Sequence, residues 1–266
     1  MTDAANWAER VRAGDRRAIA RAISAVEDGG AQGSALSAQL AGAAGRARIV
    51  GITGPPGAGK STLVNALTRE LLARGHAVAV VAVDPSSPIT GGSVLGDRIR
   101  MGEVQSDARV FIRSLATRGH LGGLTCSTAE VVAVLDAAGF DYVIVETVGT
   151  GQSEVEITRV AGTRIVVCPP GLGDDVQMLK AGVLEIADIF VVNKADLPDA
   201  DRTENELRAM LALRPAARRP PVLRTIASSG EGVAALADAI AAHAPVAYRR
   251  SSRLGAAVRT DARTVR

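Results

Sequence analysis

Eight residues, Gly54-Pro55-Pro56-Gly57-Ala58-Gly59-Lys60-Ser61, fit the pattern G-x-x-x-x-G-K-[ST]. They lie between a short apolar run, Ala47–Ile52, and a helical pattern, Lys60–Arg74, that Gly75 closes. No other feature restricts the possible folds as much. Glycines let successive backbone N–H groups curl round an anion, and the amino end of the following helix adds its dipole at the same point. That chemistry needs a strand, a tight loop and a helix in this order, and the context disfavours an ordinary glycine-rich turn. On this reading Gly57, Ala58, Gly59, Lys60, Ser61 and Thr62 surround a phosphate chain. Lys60 reaches the β- and γ-phosphates, and the Ser61 hydroxyl ligates Mg²⁺.

The periodicity on either side agrees. Ala77–Val83 is a continuous apolar run, as expected of a strand covered on both faces of a parallel sheet. Further strand candidates are Val110–Arg113, Tyr142–Glu146, Arg164–Cys168, Ile189–Val192 and Val222–Thr225. Helical patterns at Ser127–Ala138, Val176–Ile186, Thr203–Leu213 and Gly232–Ala242 separate most of them. The expected fold is therefore α/β, with a mainly parallel central sheet flanked by helices. Ahead of it, residues 4–28 read as two helices broken at Gly14-Asp15, with Asp15 as cap of the second and Gly29-Gly30 as its end. Ala35–Ala44 reads as a short third helix. The chain thus divides into a helical extension (1–45), a nucleotide-binding domain (46–246) and a short basic tail (247–266).

Composition narrows the classes. With 266 residues, 47% hydrophobic and 22% charged, the chain can bury a real core and is not of disordered type. Its six aromatics leave little for stacking platforms. No run approaches the ~18 apolar residues of a membrane span, and the start of the chain has no basic-then-apolar leader, so a cytoplasmic protein is expected. Cys126 and Cys168, with the scattered His76, His120 and His243, have no disulfide or zinc spacing. The net charge of +3 is uneven: residues 249–266 carry six Arg and one Asp (+5), leaving −2 on residues 1–248. A nucleic-acid face on the main domain is not indicated. The tail reads as a solvated segment or an interaction arm. Only three lysines, Lys60, Lys180 and Lys194, stand against 28 arginines, and all three fall in segments with chemical character.

Asn193-Lys194-Ala195-Asp196 follows the strand Ile189–Val192, about 130 residues after the loop. A carboxylate there can accept hydrogen bonds from guanine N1–H and its 2-amino group, a donor pair that adenine lacks, so Asp196 selects the base. Asn193 and Lys194 brace the base loop, and the backbone of Ala227 and Ser228, after the next strand, is placed to meet guanine O6. Asp84 and Glu146 stand at strand carboxyl ends, where open α/β sheets bind ligands. With Asp97 they are candidates for metal coordination or for orienting water, though Mg²⁺ takes only one or two protein oxygens beside phosphates and waters. Glu146-Thr147-Val148-Gly149-Thr150-Gly151-Gln152 reads as a nucleotide-sensing switch in which the Gly149 N–H donates to the γ-phosphate. Gly171–Lys180 is a second glycine-rich, acidic loop.

Together these residues resemble the methylmalonyl-CoA-mutase-associated GTPases of the ArgK/MeaB type, G-protein chaperones of adenosylcobalamin-dependent acyl-CoA mutases. The likeness runs from about Ala8 to His243. It is most specific in Asp84-Pro85-Ser86-Ser87-Pro88 and in the run from Glu146 to Glu154. The resemblance implies a P-loop NTPase fold, hydrolysis of GTP to GDP and phosphate, Mg²⁺ as cofactor and a homodimer. It implies Lys60 on phosphate, Ser61 on phosphate and metal, Asp84, Asp97 and Glu146 at metal and attacking water, and Asn193 and Asp196 at guanine. A third switch loop toward the mutase maps to about Pro169–Lys180, with Asp174, Gln177 and Lys180 as matching positions. The implied role is to gate delivery of the cobalamin cofactor to an acyl-CoA mutase and to protect that enzyme. Three features depart from the pattern. The chain stops at 266, short of the family's C-terminal extension; Cys126 and Ser127 replace basic residues; Ala181 replaces a second basic residue after Lys180. Rival readings are a GTPase inserting nickel or zinc, which tends to carry His-rich or paired-Cys tracts, a small-molecule kinase, and a non-catalytic nucleotide-binding scaffold.

Overall fold

Strands β1 (Arg48–Thr53), β2 (Val78–Asp84), β3 (Val110–Ala116), β4 (Tyr142–Thr147), β5 (Thr163–Cys168), β6 (Ile189–Asn193) and β7 (Val222–Thr225) pair in parallel in the order β3-β2-β4-β1-β5-β6-β7. The computed structural model describes residues 3–43, 45–84, 104–116, 126–147, 160–171, 183–216 and 219–244. The helices among them are α1 (Asp3–Arg12), α2 (Arg16–Glu27), α3 (Ala31–Leu40), α4 (Lys60–Ala73), α5 (Cys126–Ala137), α6 (Val183–Ile186), α7 (Ala200–Ala212) and α8 (Val233–Ala242). None is long and apolar enough to cross a membrane.

Each central strand buries both of its faces, which is why its sequence lacks alternation. Val50 and Ile52 of β1, Val78 and Val80 of β2, and Ile165 and Val167 of β5 meet α4 and α8. On the other face, Ala79, Val81, Val143 and Val145 meet α5 and the N-terminal helices, and Val166, Phe190 and Val192 meet α7. Ala8, Val11, Ile19, Ile23, Leu36 and Leu40 of α1–α3 join the same apolar cluster as α5. Asp136 of α5 ties their exit to the sheet by accepting the N–H groups of Gly45, Arg46 (3.0 Å) and Ala47 (2.8 Å). Asp15 caps α2 as expected, accepting from the Arg17 and Ala18 N–H groups.

Several boundaries differ from the sequence reading, and at three of them the physical reason is visible. Helix α3 begins at Ala31 rather than Ala35, because Gly33 lets it press on α2: a Cβ there would lie 2.3 Å from the Ala25 carbonyl oxygen. Strand β3 runs past Arg113 to Ala116, since the Arg113 guanidinium is matched by Glu27 (2.5 Å) and Ser24 Oγ (3.1 Å) of α2. Helix α7 starts at Ala200 rather than Thr203, after Asp199 in a left-handed conformation (φ 68°). Of the helix expected over Val176–Ile186, Val183–Ile186 lies within the described residues and is helical; the rest, and the tail beyond residue 244, lie outside them.

Strand β1 has β4 on one side and β5 on the other. The chain leaves β1 toward β2 and later returns to its opposite flank at β5. This reversal opens a crevice beyond the carboxyl ends of β1, β4 and β5, where the fold class binds ligands.

Candidate nucleotide-binding site

The loop 54–59 leaves β1 into that crevice. Gly54 (φ 144°) runs so close to β5 that a Cβ would sit 2.2 Å from the Val167 carbonyl oxygen. Gly59, the N-cap of α4, has φ 85° and no room for a side chain, since a Cβ would lie 2.5 Å from Asn193 Nδ2. These two glycines are required by backbone approach and by a left-handed cap. Lys60 follows, 7% exposed, and its ammonium donates to the carbonyl oxygens of Gly54 (2.8 Å) and Pro55 (3.1 Å). The cation is thereby held over the loop at the amino end of a 14-residue helix. The dipole of that helix favours an anion at the same place.

Ser61, one residue into α4, donates its hydroxyl to Glu146 Oε1 at 2.6 Å. Glu146 sits in β4 at 1% exposure. Beside it, Thr147 Oγ1 donates to Thr53 Oγ1 (3.0 Å), locking the ends of β4 and β1 together. A hydroxyl and a carboxylate in contact are hard oxygen donors. Mg²⁺ uses one or two of these and completes its shell with phosphate and water oxygens. Among the described residues no group of three or more His, Cys, Asp and Glu forms a dedicated metal cage. The Ser61–Glu146 pair therefore fits Mg²⁺ carried in with a phosphate chain.

The loop expected to meet the base begins where β6 ends. Asn193, 1% exposed, donates from Nδ2 to the Ala58 carbonyl (2.8 Å), and its Oδ1 accepts from Thr225 Oγ1 (3.0 Å) and the Ala227 N–H (3.2 Å). One amide side chain thus joins the phosphate loop, β6 and the end of β7. Lys194 adopts a left-handed conformation (φ 58°), and its Cε lies 3.8 Å from where a Gly59 Cβ would be, so its stem covers the phosphate loop. Asp196 is exposed two residues on, and its carboxylate takes no partner among the described residues. The Ala227 N–H is engaged by Asn193, and exposed Ser228 follows it.

The structure therefore gathers Gly57, Ala58, Gly59, Lys60, Ser61, Thr62 and Glu146 at the ends of β1 and β4, with Asn193, Lys194, Asp196, Ala227 and Ser228 at the ends of β6 and β7. Asp84 closes β2, two strands from β1 in the sheet. Its side chain, together with Asp97, Gly149, Asp174, Gln177 and Lys180, lies outside the described residues. Sequence reasoning missed the Thr53–Thr147 lock and the reach of Asn193 to Ala58. Cys168, which closes the expected strand Arg164–Cys168, is buried at the end of β5, where desolvation pushes the thiol up to about 12. A short polar residue closing an apolar strand was the available signal for the threonines. Nothing local marks the contact from Asn193 to Ala58, 135 residues apart.

Comparison with known proteins gives a consistent picture. The model of the family "Methylmalonyl Co-A mutase-associated GTPase MeaB" matches residues 19–265. The chain is 51% identical over 251 residues to a Pyrococcus abyssi protein named "Putative GTPase", covering 92% of this chain and 77% of that one. It is 46% identical over 191 residues to "GTPase ArgK" of Escherichia coli, covering 70% and 58% of the two chains. Among solved structures, one titled "LAO/AO transport system kinase" superposes with a TM-score of 0.74 at 30% identity, over 91% of this chain and 75% of that one.

Proposed function

The chain belongs to the methylmalonyl-CoA-mutase-associated GTPase family, and from that premise we propose that it couples GTP hydrolysis to the care of an adenosylcobalamin-dependent acyl-CoA mutase. It is a GTP hydrolase of the P-loop type. In the proposed role, its GTP and GDP states gate delivery of the cobalamin cofactor and protect the mutase from damaged cofactor, with the chain working as a homodimer. The observation that carries the nucleotide assignment is the Asn193 bridge from Ala58 to Thr225 and Ala227, which makes the phosphate loop and the base loop one hydrogen-bonded unit.

In the proposed mechanism a water oxygen attacks the γ-phosphorus, the bond to the β–γ bridging oxygen breaks, and GDP leaves with that electron pair. Lys60 and the amides of residues 57–62 neutralise charge on the β- and γ-oxygens, in a transition state that needs placement and electrostatics more than covalent help. Ser61 and Glu146, with Asp97, would hold Mg²⁺, which would supply positive charge to offset the charge that develops on the phosphate chain. Asp84 and Glu146 orient the attacking water. Lys194 covers the loop, Asp196 accepts from the guanine edge, and Ala227 and Ser228 frame the O6 side. Gly149 senses the γ-phosphate, and Asp174, Gln177 and Lys180 pass its presence to the mutase.

Single-turnover GTP hydrolysis with and without an acyl-CoA mutase tests the coupling. A rate that rises with the mutase, and falls back in a Lys180→Ala chain, supports it. A rate indifferent to the mutase removes the partner-gated part and leaves the GTPase.

A further inference from the structure

Asp196 is exposed and no described residue is hydrogen-bonded or ion-paired to its carboxylate, so what the fold holds there is the backbone that carries it. That backbone is held at the preceding residue. The Ala195 N–H donates to the Thr225 carbonyl (3.1 Å), and the Ala195 carbonyl accepts from Arg224 Nη2 (3.2 Å). Two consecutive residues of β7 thus grip both polar groups of the residue before Asp196.

Arg224 is itself anchored. Its Nη1 donates to Asp201 Oδ1 (2.5 Å) and lies 3.5 Å from Glu204 Oε2, both in the first turns of α7. Its carbonyl backs onto Gly232, where a Cβ would come within 2.1 Å. The guanidinium therefore spans β7, the base loop and α7, and its planar fork serves two directions at once in a way an ammonium does not.

The loop needs such a grip. Lys194, immediately before Ala195, is a non-glycine residue at φ 58°, a conformation that persists only where its surroundings impose it. Arg224 is 43% exposed, and ion pairs at that exposure contribute little to overall stability. Its consequence is local.

We infer that Arg224 is a positioning residue for base selection: by fixing the Ala195 carbonyl to α7 and β7 it aims Asp196 at the purine without touching the nucleotide. This rests on the reading of Asp196 as the guanine acceptor, and the test separates the two. Steady-state GTP hydrolysis by the full chain is measured for wild type, Arg224→Ala, Asp196→Ala and the double variant, with inorganic tripolyphosphate as a competitor that has no base. One hydrogen bond of this kind corresponds to roughly a three- to tenfold change. Arg224→Ala is expected to raise the KM for GTP by that factor, leaving kcat and tripolyphosphate inhibition unchanged. In the Asp196→Ala background the same change is expected to add less than about twofold, since coupled residues are not additive. Asp201→Asn, which loosens the guanidinium from α7 only, shifts KM less and in the same direction, and serves if Arg224→Ala folds poorly. An unchanged KM, an equal loss of tripolyphosphate binding, or an undiminished effect in the Asp196→Ala background overturns the inference. If Asp196→Ala alone leaves the KM for GTP unchanged, the guanine reading falls and takes this inference with it.

Discussion

At the ends of β1 and β4 the groups proposed to meet a phosphate chain are hydrogen-bonded into the fold, with Lys60 and Glu146 buried and Ser61 half-buried: Lys60 to Gly54 and Pro55, Ser61 to Glu146, and beside them Thr147 to Thr53. At the ends of β6 and β7 the groups proposed to meet a base, Lys194 and Asp196, are exposed, and the hydrogen bonds come from Asn193 and Arg224 behind them. The contrast follows from the two tasks. Neutralising a triphosphate is electrostatic work, and charges act more strongly where water is excluded. Choosing a purine depends on donors and acceptors meeting along one edge, so accuracy of placement matters more than a dry surrounding.

The contrast can be broken at its strongest point. Lys60→Ala removes the buried cation and is expected to slow single-turnover hydrolysis by roughly 10²–10³-fold, while the preference for GTP over ATP in binding stays as it was. A loss under about tenfold, or a change in base preference, would show that the two ends are not divided as described.

Asn193→Ala attacks the joint between them. It strands the Ala58 carbonyl, the Thr225 hydroxyl and the Ala227 N–H, for about 1–3 kcal/mol of stability. GTP affinity and hydrolysis are both expected to fall, by about tenfold each at that energy. Urea unfolding beside kinetics checks this. A chain that is less stable but kinetically normal would mean that the joint is structural only.

A smaller effect reports on the seam. Cys168 ends β5, one residue beyond the Val167 carbonyl that backs Gly54. Burial pushes its thiol from 9.0 up to about 12, so the folded state favours the neutral form. Its contribution to stability is intact below pH 9 and declines as pH rises from about 9 toward 12, because the unfolded chain ionises first. The thiolate is the reactive species. In a Cys126→Ser chain at pH 9, iodoacetamide is therefore expected to modify Cys168 at least about tenfold more slowly in the folded state than in urea. Equal rates would mean that the seam is open to solvent.

Much of this was legible in the sequence, for different reasons in different places. The phosphate loop declares itself because its chemistry is contiguous: Gly54 to Ser61 carry conformation, charge and ligand within eight residues. The strands show because burial on both faces leaves uninterrupted apolar runs such as Val78–Val83. Arg113 hid the second half of β3, since a charged residue in a strand looks like an end until Glu27, far earlier in the chain, is seen to match it. Gly33 lies ahead of the helix expected over Ala35–Ala44 and is the contact through which α3 approaches α2. Asn193 and Arg224 were readable as residue types but not as connectors, because their partners are set by topology: β6 lies two strands from β1, and α7 folds back over β7. Local pattern reveals local chemistry, and the parts that align one end of the crevice with the other are long-range by construction.

The most direct test of the divided site is calorimetric binding of guanosine and xanthosine triphosphates to wild type and to Asp196→Asn. Xanthine presents a carbonyl where guanine presents its 2-amino donor, so a carboxylate favours guanine and an amide N–H favours xanthine. The account expects the substitution to invert the preference while total binding of the favoured nucleotide stays within about tenfold, because the phosphate end is untouched. A variant that still prefers guanosine triphosphate as strongly as wild type would contradict it.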